Sequence, residues 1–68
     1  MRDVEIRTEM IRLGQLLHFA GVVGSGAEAK ALLAETPVTV NGEPEARRGR
    51  QLHRGDVVVA AGETIRVA

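Results

Sequence analysis

The stretch "SGAEAKALLAETPVTVNG", residues 25–42, decides the fold because it contains both ends of a helix and the first turn of a sheet. Ser25 and Glu28 have the spacing of a capping box, in which Ser25 accepts a hydrogen bond from the Glu28 backbone N–H and Glu28 reaches back to the Ser25 N–H. This pattern predicts that a helix begins after Ser25. The apolar residues that continue it at helical spacing are Ala29, Leu32 and Leu33.

The second half of the stretch predicts a change from helix to strand. Pro37 cannot continue a helix, and it pushes Thr36 toward an extended conformation. The helix should therefore end just before Thr36. Residues 38–40, "VTV", return to the two-residue period of a strand, and Asn41-Gly42 is a dipeptide that favours a tight hairpin turn.

On the N-terminal side, residues 12–21 predict a first helix. Its apolar positions follow the i, i+3, i+4, i+7 spacing of one helical face, and Gly21 stands where a C-terminal glycine belongs. Residues 21–24 then join the two helices into an αα-hairpin. Further upstream, residues 3–7 alternate between charged and apolar side chains, which indicates a short strand or, alternatively, a frayed terminus.

On the C-terminal side, two strands and their turns complete a sheet. A turn is expected at residues 53–56, a buried strand at 57–60, another turn at 61–63 and a last strand at 64–67. The fold class is therefore α+β: an αα-hairpin packed on a small antiparallel sheet, in a single domain over residues 1–68. The residues expected to share one core are Leu16, Leu17, Leu32, Leu33, Val57 and Ile65.

The composition restricts the function classes. The chain has 68 residues and no cysteine, so it must fold by hydrophobic packing without disulfides or thiolate metal sites. No apolar run approaches the length of a membrane span, and charged residues occupy the N-terminus where a signal peptide needs an apolar block. A cytoplasmic protein without contact to membranes is expected.

The positive charge is concentrated in one segment. The formal net charge is zero, yet residues 46–55 carry four of the nine basic side chains and no acid. A local positive potential of this kind attracts an anionic partner even when the total charge cancels. Arginine also matches phosphate geometry bidentately. The alternative is a solvated face whose arginines pair with neighbouring acids such as Glu43 or Glu45.

Enzymatic and cofactor-dependent functions find no support in the sequence. The glycines of residues 21–26 follow a predicted helix, whereas a dinucleotide fingerprint needs a preceding strand, and no Lys-Ser or Lys-Thr completes a P-loop. His18 is expected on a helix surface and His53 in a turn, and nothing places either beside a nucleophile. No catalytic residue, metal site or cofactor is predicted.

The order of motifs along residues 12–60 resembles the RNA-binding domain first named for ribosomal small-subunit protein four, the S4 domain. That domain has an Arg-Leu pair, two leucines, an Ala-Gly helix end, a serine opening the next helix, Val-x-Val-Asn-Gly, and Gly-Asp before a valine strand. The residues that fill these places are Arg12-Leu13, Leu16-Leu17, Ala20-Gly21, Ser25, Ala29, Leu32, Val38, Val40-Asn41-Gly42 and Gly55-Asp56-Val57. The segments "SGAEAK" and "EARRGR" are similar to a subgroup of small bacterial proteins that are little more than this domain.

Two positions depart from the family pattern. The family often has Asp two residues after the arginine at position 12, and this chain has Gly14. It often has Arg after the helix-opening serine, and this chain has Gly26. The second departure removes one expected RNA contact unless backbone N–H groups at the helix start replace it.

The resemblance implies an RNA-binding accessory protein without catalytic activity. Its expected target is structured RNA of the ribosomal or transfer RNA class, bound by phosphate and shape contacts because Phe19 is the only aromatic residue. Ribosome-associated or RNA-processing proteins are possible further partners. A different class of function stays open, namely a protein-interaction module whose arginines dock an acidic protein surface. The residues expected on the RNA-binding face are Arg12, Ser25, Gly26, Lys30, Asn41, Arg47, Arg48, Arg50, His53 and Arg54.

Overall fold

The computed structural model describes all 68 residues, Met1–Ala68. Two consecutive helices lie between two short strands and five further strands, and this segregation of helices from strands agrees with the α+β prediction. Neither helix is long and apolar enough to cross a membrane. The elements are β1 (Arg2–Val4), β2 (Ile11–Arg12), α1 (Leu13–Phe19), α2 (Gly26–Glu35), β3 (Thr39–Val40), β4 (Glu43–Pro44), β5 (Gln51–Leu52), β6 (Val57–Ala60) and β7 (Glu63–Val67).

The ends of α2 follow the sequence signals closely. Ser25 is the N-cap, and its hydroxyl accepts a hydrogen bond from the Glu28 N–H at 3.1 Å. The prediction for the Glu28 side chain is wrong by one residue, because its carboxylate accepts from the Gly24 N–H at 2.7 Å and not from Ser25. A carboxylate at this point still satisfies a backbone donor beside the helix start and complements the helix dipole. At the other end, Thr36 is extended and stops the helix before Pro37.

The sheet has five strands in the order β1-β7-β6-β3-β4. Asn41-Gly42 joins β3 to β4 with φ values of 51° and 84°, the left-handed pair that a tight hairpin turn requires. The sequence predicts an antiparallel sheet, and every neighbouring pair is antiparallel except β1 and β7, which run parallel. β1 is an edge strand of this sheet, and its single neighbour is β7 and not β2, the next strand in the chain.

A separate two-stranded ribbon stands beside the helices and was not predicted. In it β2 pairs antiparallel with β5, which places Arg12 opposite Gln51 and Ile11 opposite Leu52. Two residues per strand are too few to give a readable alternation in the sequence. The ribbon matters for function, because it brings the start of α1 next to the arginine segment.

The core lies between the helix pair and one face of the sheet. The largest side chains with almost no exposure are Leu13, Leu16, Leu17, Leu52, Ile65, Val40, Val58 and Val67.

Two details of the predicted core are wrong. Leu32 and Val57 are only partly buried, and "VVVA" is not a fully buried strand, because Val59 is 41% exposed. The sheet is covered on one face only, so alternate residues of β6 point to solvent.

Candidate nucleic-acid interface

The loop that carries the arginines is docked on the first turn of α1 through backbone hydrogen bonds. The Leu13 N–H donates to the Arg50 carbonyl at 2.8 Å, and the Gly14 N–H donates to the Arg48 carbonyl at 2.9 Å. The first N–H groups of a helix have no partner inside the helix, so the loop satisfies two of them. The backbone of the loop therefore fixes where Arg48 stands relative to α1.

Glu45 holds the same loop from its other side. Its side chain is 7% exposed, and its carboxylate accepts from the guanidinium of Arg47 at 3.0 and 3.1 Å and from that of Arg50 at 2.9 Å. The backbone N–H groups of Ala46 and Arg47 donate to it as well, each at 3.1 Å. Hydrogen bonds from Arg47, and then from Arg50, hold the pKa of Glu45 well below its ordinary value. The alternative of pairing with a neighbouring acid thus applies to Arg47 and Arg50.

Two arginines and two glycines form a reciprocal arrangement beside this loop. The side chain of Arg48 lies over Gly14: a Cβ atom at position 14 would stand inside van der Waals contact of Arg48 Cγ and 3.2 Å from Cδ. The guanidinium of Arg12 in turn lies over Gly49, 3.8 Å from where a Cβ atom would stand. The φ angles of these glycines are ordinary, so space and not backbone conformation requires glycine at position 14. At this position, where the family often has Asp, the Arg48 side chain occupies the space that a Cβ atom would need.

These side chains line an open polar groove between α1, the start of α2 and the arginine loop. None of its lining residues is acidic and none is hydrophobic. Arg12 and Arg48 supply full positive charges, and Gln15 and His18 supply further polar groups from the exposed face of α1. The lining residues are Arg12, Gly14, Gln15, His18, Gly26, Arg48 and Gly49. We call this surface the arginine groove.

The side chains of Arg12 and Arg48 have no hydrogen-bond or ion-pair partner within the chain. Five of the nine basic side chains are engaged elsewhere. Arg2 donates to the Ala20 carbonyl and forms an ion pair with Glu63. Both Arg47 and Arg50 bind Glu45. Arg54 donates to the Ile6 carbonyl at 2.7 Å, and Arg66 binds Asp3. The cations without a partner are Arg7, Arg12, Lys30 and Arg48. Two of these four meet in the arginine groove, which makes it the place where an added anion would find unused positive charge.

The start of α2 forms the far wall of the groove. Gly26 lines it, and a Cβ atom there would meet nothing within 4 Å, so the backbone is open to a ligand. Ser25 stands beside it as the N-cap. Lys30 follows Gly26 by four residues, so it lies on the same helical face, exposed to solvent.

Asn41 and His53 are placed in a second cluster away from the arginine groove. The Asn41 amide donates to Asp56 at 3.0 Å, and its oxygen accepts from the Val57 N–H at 2.9 Å. The His53 N–H donates to the other Asp56 oxygen at 2.8 Å. Burial opposes ionisation of Asp56, but the hydrogen bonds from His53 and Asn41 outweigh it and lower the pKa of that carboxyl. This cluster ties the β3–β4 hairpin to the turn before β6.

Gln15 and His18 are the groove residues that sequence reasoning missed. They follow Arg12, the N-cap of α1, at intervals of three, which places all three on the same side of the helix and its start. The Gln15 side chain also accepts a hydrogen bond from the Arg12 backbone N–H at 3.0 Å, so it helps to cap the N-terminus of α1. The sequence pattern that indicates their role is the polar stripe at positions 12, 15 and 18, on the side of the helix opposite the leucines.

Comparison with known proteins agrees with this architecture. The family model described as the S4 domain matches residues 4–68. A relative from Bacillus subtilis (strain 168), named "Probable ribosome maturation protein RlbA", is 54% identical over 59 residues, which are 87% of this chain and 83% of the relative. The paired helices, the sheet and the match over nearly the whole length agree with each other, and the chain belongs to the S4 domain family.

Proposed function

We propose that this chain binds structured RNA through the arginine groove and acts in ribosome maturation without catalysing a reaction. The observation that carries the proposal is the meeting of Arg12 and Arg48, two guanidinium groups without intramolecular partners, in a groove without a single acid. Phosphate oxygens would supply the missing acceptors, because charge-assisted arginine–phosphate bonds are short and strong. The name of the Bacillus relative supports ribosomal RNA as the target, ahead of transfer RNA. Such a role belongs to the cytoplasm.

The predicted RNA-binding residues contribute unequally in this proposal. Arg12 and Arg48 bind phosphates directly, and Ser25, Gly26 and Lys30 extend the surface along α2. Arg47 and Arg50 are held by Glu45, so a phosphate would have to compete with an existing carboxylate for them. Their main contribution is the shape of the loop. Asn41, His53 and Arg54 lie outside the groove lining, because the first two are held by the Asp56 cluster and Arg54 donates to the Ile6 carbonyl.

The salt dependence of RNA affinity tests the proposal. Each phosphate contact contributes about −0.7 to the slope of log K against log salt for single strands and about −0.9 for B-form duplex DNA. The Arg12→Ala/Arg48→Ala double variant should therefore flatten the slope by roughly 1.4–1.8. Fluorescence anisotropy with a ribosomal RNA hairpin, a transfer RNA and an unstructured strand measures the slope and the preference together.

Two controls make the result specific. Arg66→Gln removes one arginine charge from β7, outside the groove lining, and should leave the slope within experimental error. Arg47→Ala should reduce the slope by less than Arg48→Ala does. A folded double variant with the parent's slope would contradict the groove assignment. Loss of a protein partner by the same variant, with RNA affinity unchanged, would favour the protein-docking function instead.

Absence of catalysis has its own measurement. RNA incubated with the pure protein should keep its length and its nucleoside composition. Cleavage or modification that disappears on replacing His18 or His53 would contradict a purely binding role.

A further inference from the structure

Phe19, the only aromatic residue of the chain, is 68% exposed at the C-terminal end of α1. Its neighbours on the surface are Met10 and Ile11, which are only partly buried, and Thr8. The Thr8 hydroxyl donates to the Met10 carbonyl at 2.8 Å, which fixes the turn that carries these residues. We call Thr8, Met10, Ile11 and Phe19 the apolar ledge. A contiguous exposed apolar patch with polar residues at its rim is typical of a binding site, and Gln15 and His18 border this one.

The apolar ledge continues directly from the arginine groove. Gln15 and His18 line both depressions, so one face of α1 forms a shared wall. Gln15 and Phe19 are four residues apart, which corresponds to about 6 Å along the helix axis. A strand whose phosphates lie against Arg12 and Arg48 would therefore pass within reach of the Phe19 ring.

We propose that the apolar ledge is a stacking site for one unpaired nucleobase of the RNA held in the arginine groove. This inference rests on the proposed function and adds a contact to it. Bases that leave a helix stack on exposed aromatic rings, and stacking tolerates any base because each has a π-face. Met10 and Ile11 would contact the edge of the base, and methionine adapts well to such a surface. Gln15 and His18 would supply hydrogen-bonding groups beside it.

The size of the apolar ledge favours a base over a protein partner. A standard protein interface buries about 800 Å² on each side. That is nearly a fifth of the 4256 Å² of accessible surface of this chain. The ledge has one ring and two partly buried aliphatic side chains, and the cationic groove borders it. A flat aromatic ligand that is linked to phosphates fits both parts of this surface at once.

Substitution of Phe19 tests the stacking site. The Phe19→Ala variant should bind a hairpin RNA with an unpaired loop roughly 5- to 150-fold more weakly, the range found for stacking aromatics. The salt slope should stay that of the parent, because no phosphate contact is removed. Phe19→Trp should retain affinity and Phe19→Leu should lose most of it. A 2-aminopurine base in the RNA loop gives a direct signal, since its fluorescence changes on stacking with Phe19 or Trp and not with the alanine variant.

The outcomes separate this inference from the proposed function. If Arg48→Ala weakens RNA binding and Phe19→Ala does not, the groove stands and the stacking site is refuted. If neither variant affects RNA binding, the proposed function itself is wrong. If Phe19→Ala abolishes self-association or ribosome co-sedimentation while RNA affinity is unchanged, the ledge binds protein and the inference is refuted. Urea unfolding of each variant provides the folding control, because Phe19 is exposed and its loss should not shift the midpoint appreciably.

Discussion

Replacing Gly14 by alanine tests how the arginine groove holds Arg48. The added methyl group would overlap Arg48 Cγ, whereas nonbonded carbon atoms prefer a separation of about 3.5–4.0 Å. Because Cγ is the first atom beyond Cβ, the side chain of Arg48 must leave its rotamer, at a cost of about 0.5–1.5 kcal/mol. Alanine recovers up to about 1 kcal/mol of helix propensity. The free energy of unfolding should therefore change by less than about 1 kcal/mol, which corresponds to a Tm shift below about 8 °C in a domain of this size.

RNA binding should change far more than stability. A hydrogen bond to a charged group is worth about 1.5–3 kcal/mol, so a displaced Arg48 should weaken RNA binding by a factor of roughly 10 to 150. The salt slope should also fall by about 0.7–0.9, the value of one phosphate contact. Combining Gly14→Ala with Arg48→Ala should add little to Arg48→Ala alone, because both changes remove the same contact.

Anisotropy titrations at several salt concentrations measure the slope, and urea unfolding measures stability. Gly24→Ala is the matched control, because its Cβ atom would make only ordinary contacts at 3.4 Å with the Glu28 carboxylate, outside the groove. Parent-like affinity in Gly14→Ala would mean that Arg48 in its present position does not bind the RNA. If Gly14→Ala weakens RNA binding by the same factor in the parent and in the Arg48→Ala variant, residue 14 affects RNA binding independently of Arg48.

Three further predictions test the fold and its charges. Ser25→Ala should lower the free energy of unfolding by about 1 kcal/mol through loss of the N-cap, and an unchanged urea midpoint would contradict the capping role. Leu33→Ala should cost about 2–5 kcal/mol, and Leu32→Ala clearly less because Leu32 is only partly buried; the reverse order would mean that the helix faces are misassigned. The free energy of unfolding should be constant above about pH 5 and decrease below it. The reason is that folding lowers the pKa of Glu45 from 4.5, so Glu45 binds a proton in the unfolded chain at a higher pH than in the folded one. Urea midpoints between neutral and acidic pH should show a shallower decrease in Glu45→Gln, and an identical decrease would exclude Glu45 as a source of the effect.

The helices and main turns could be predicted because their signals are local. The Ser25 cap, the break at Pro37 and the Asn41-Gly42 turn each involve residues within four positions of one another, and all three are confirmed. The exposure of Val59 could not be predicted, because a run of four apolar residues does not show which face of the strand is covered. The burial of alternate residues in β6 follows from the helices covering only one face of the sheet.

The site could be predicted in part only, for a different reason. The basic segment was visible as charge, but charge alone does not say which arginines remain free. Glu45 binds Arg47 and Arg50, whereas Arg48, between them, points to α1 and over Gly14. That division depends on the docking of the loop against a helix more than thirty positions away. The departure from the family pattern at Gly14 is visible in the sequence, whereas the packing of Arg48 over that glycine is visible only in the structure.

The parallel pairing of β1 with β7 has a consequence for the order of folding. Asp3 and Arg66, joined by two hydrogen bonds of 2.8 and 3.0 Å, are 63 positions apart. Contacts between residues so far apart in sequence form late in folding, because closing a long loop costs entropy. The α1–α2 pair and the β3–β4 and β6–β7 hairpins join residues that are much closer in the chain. We therefore expect refolding to complete the sheet last, at the edge where β1 pairs with β7.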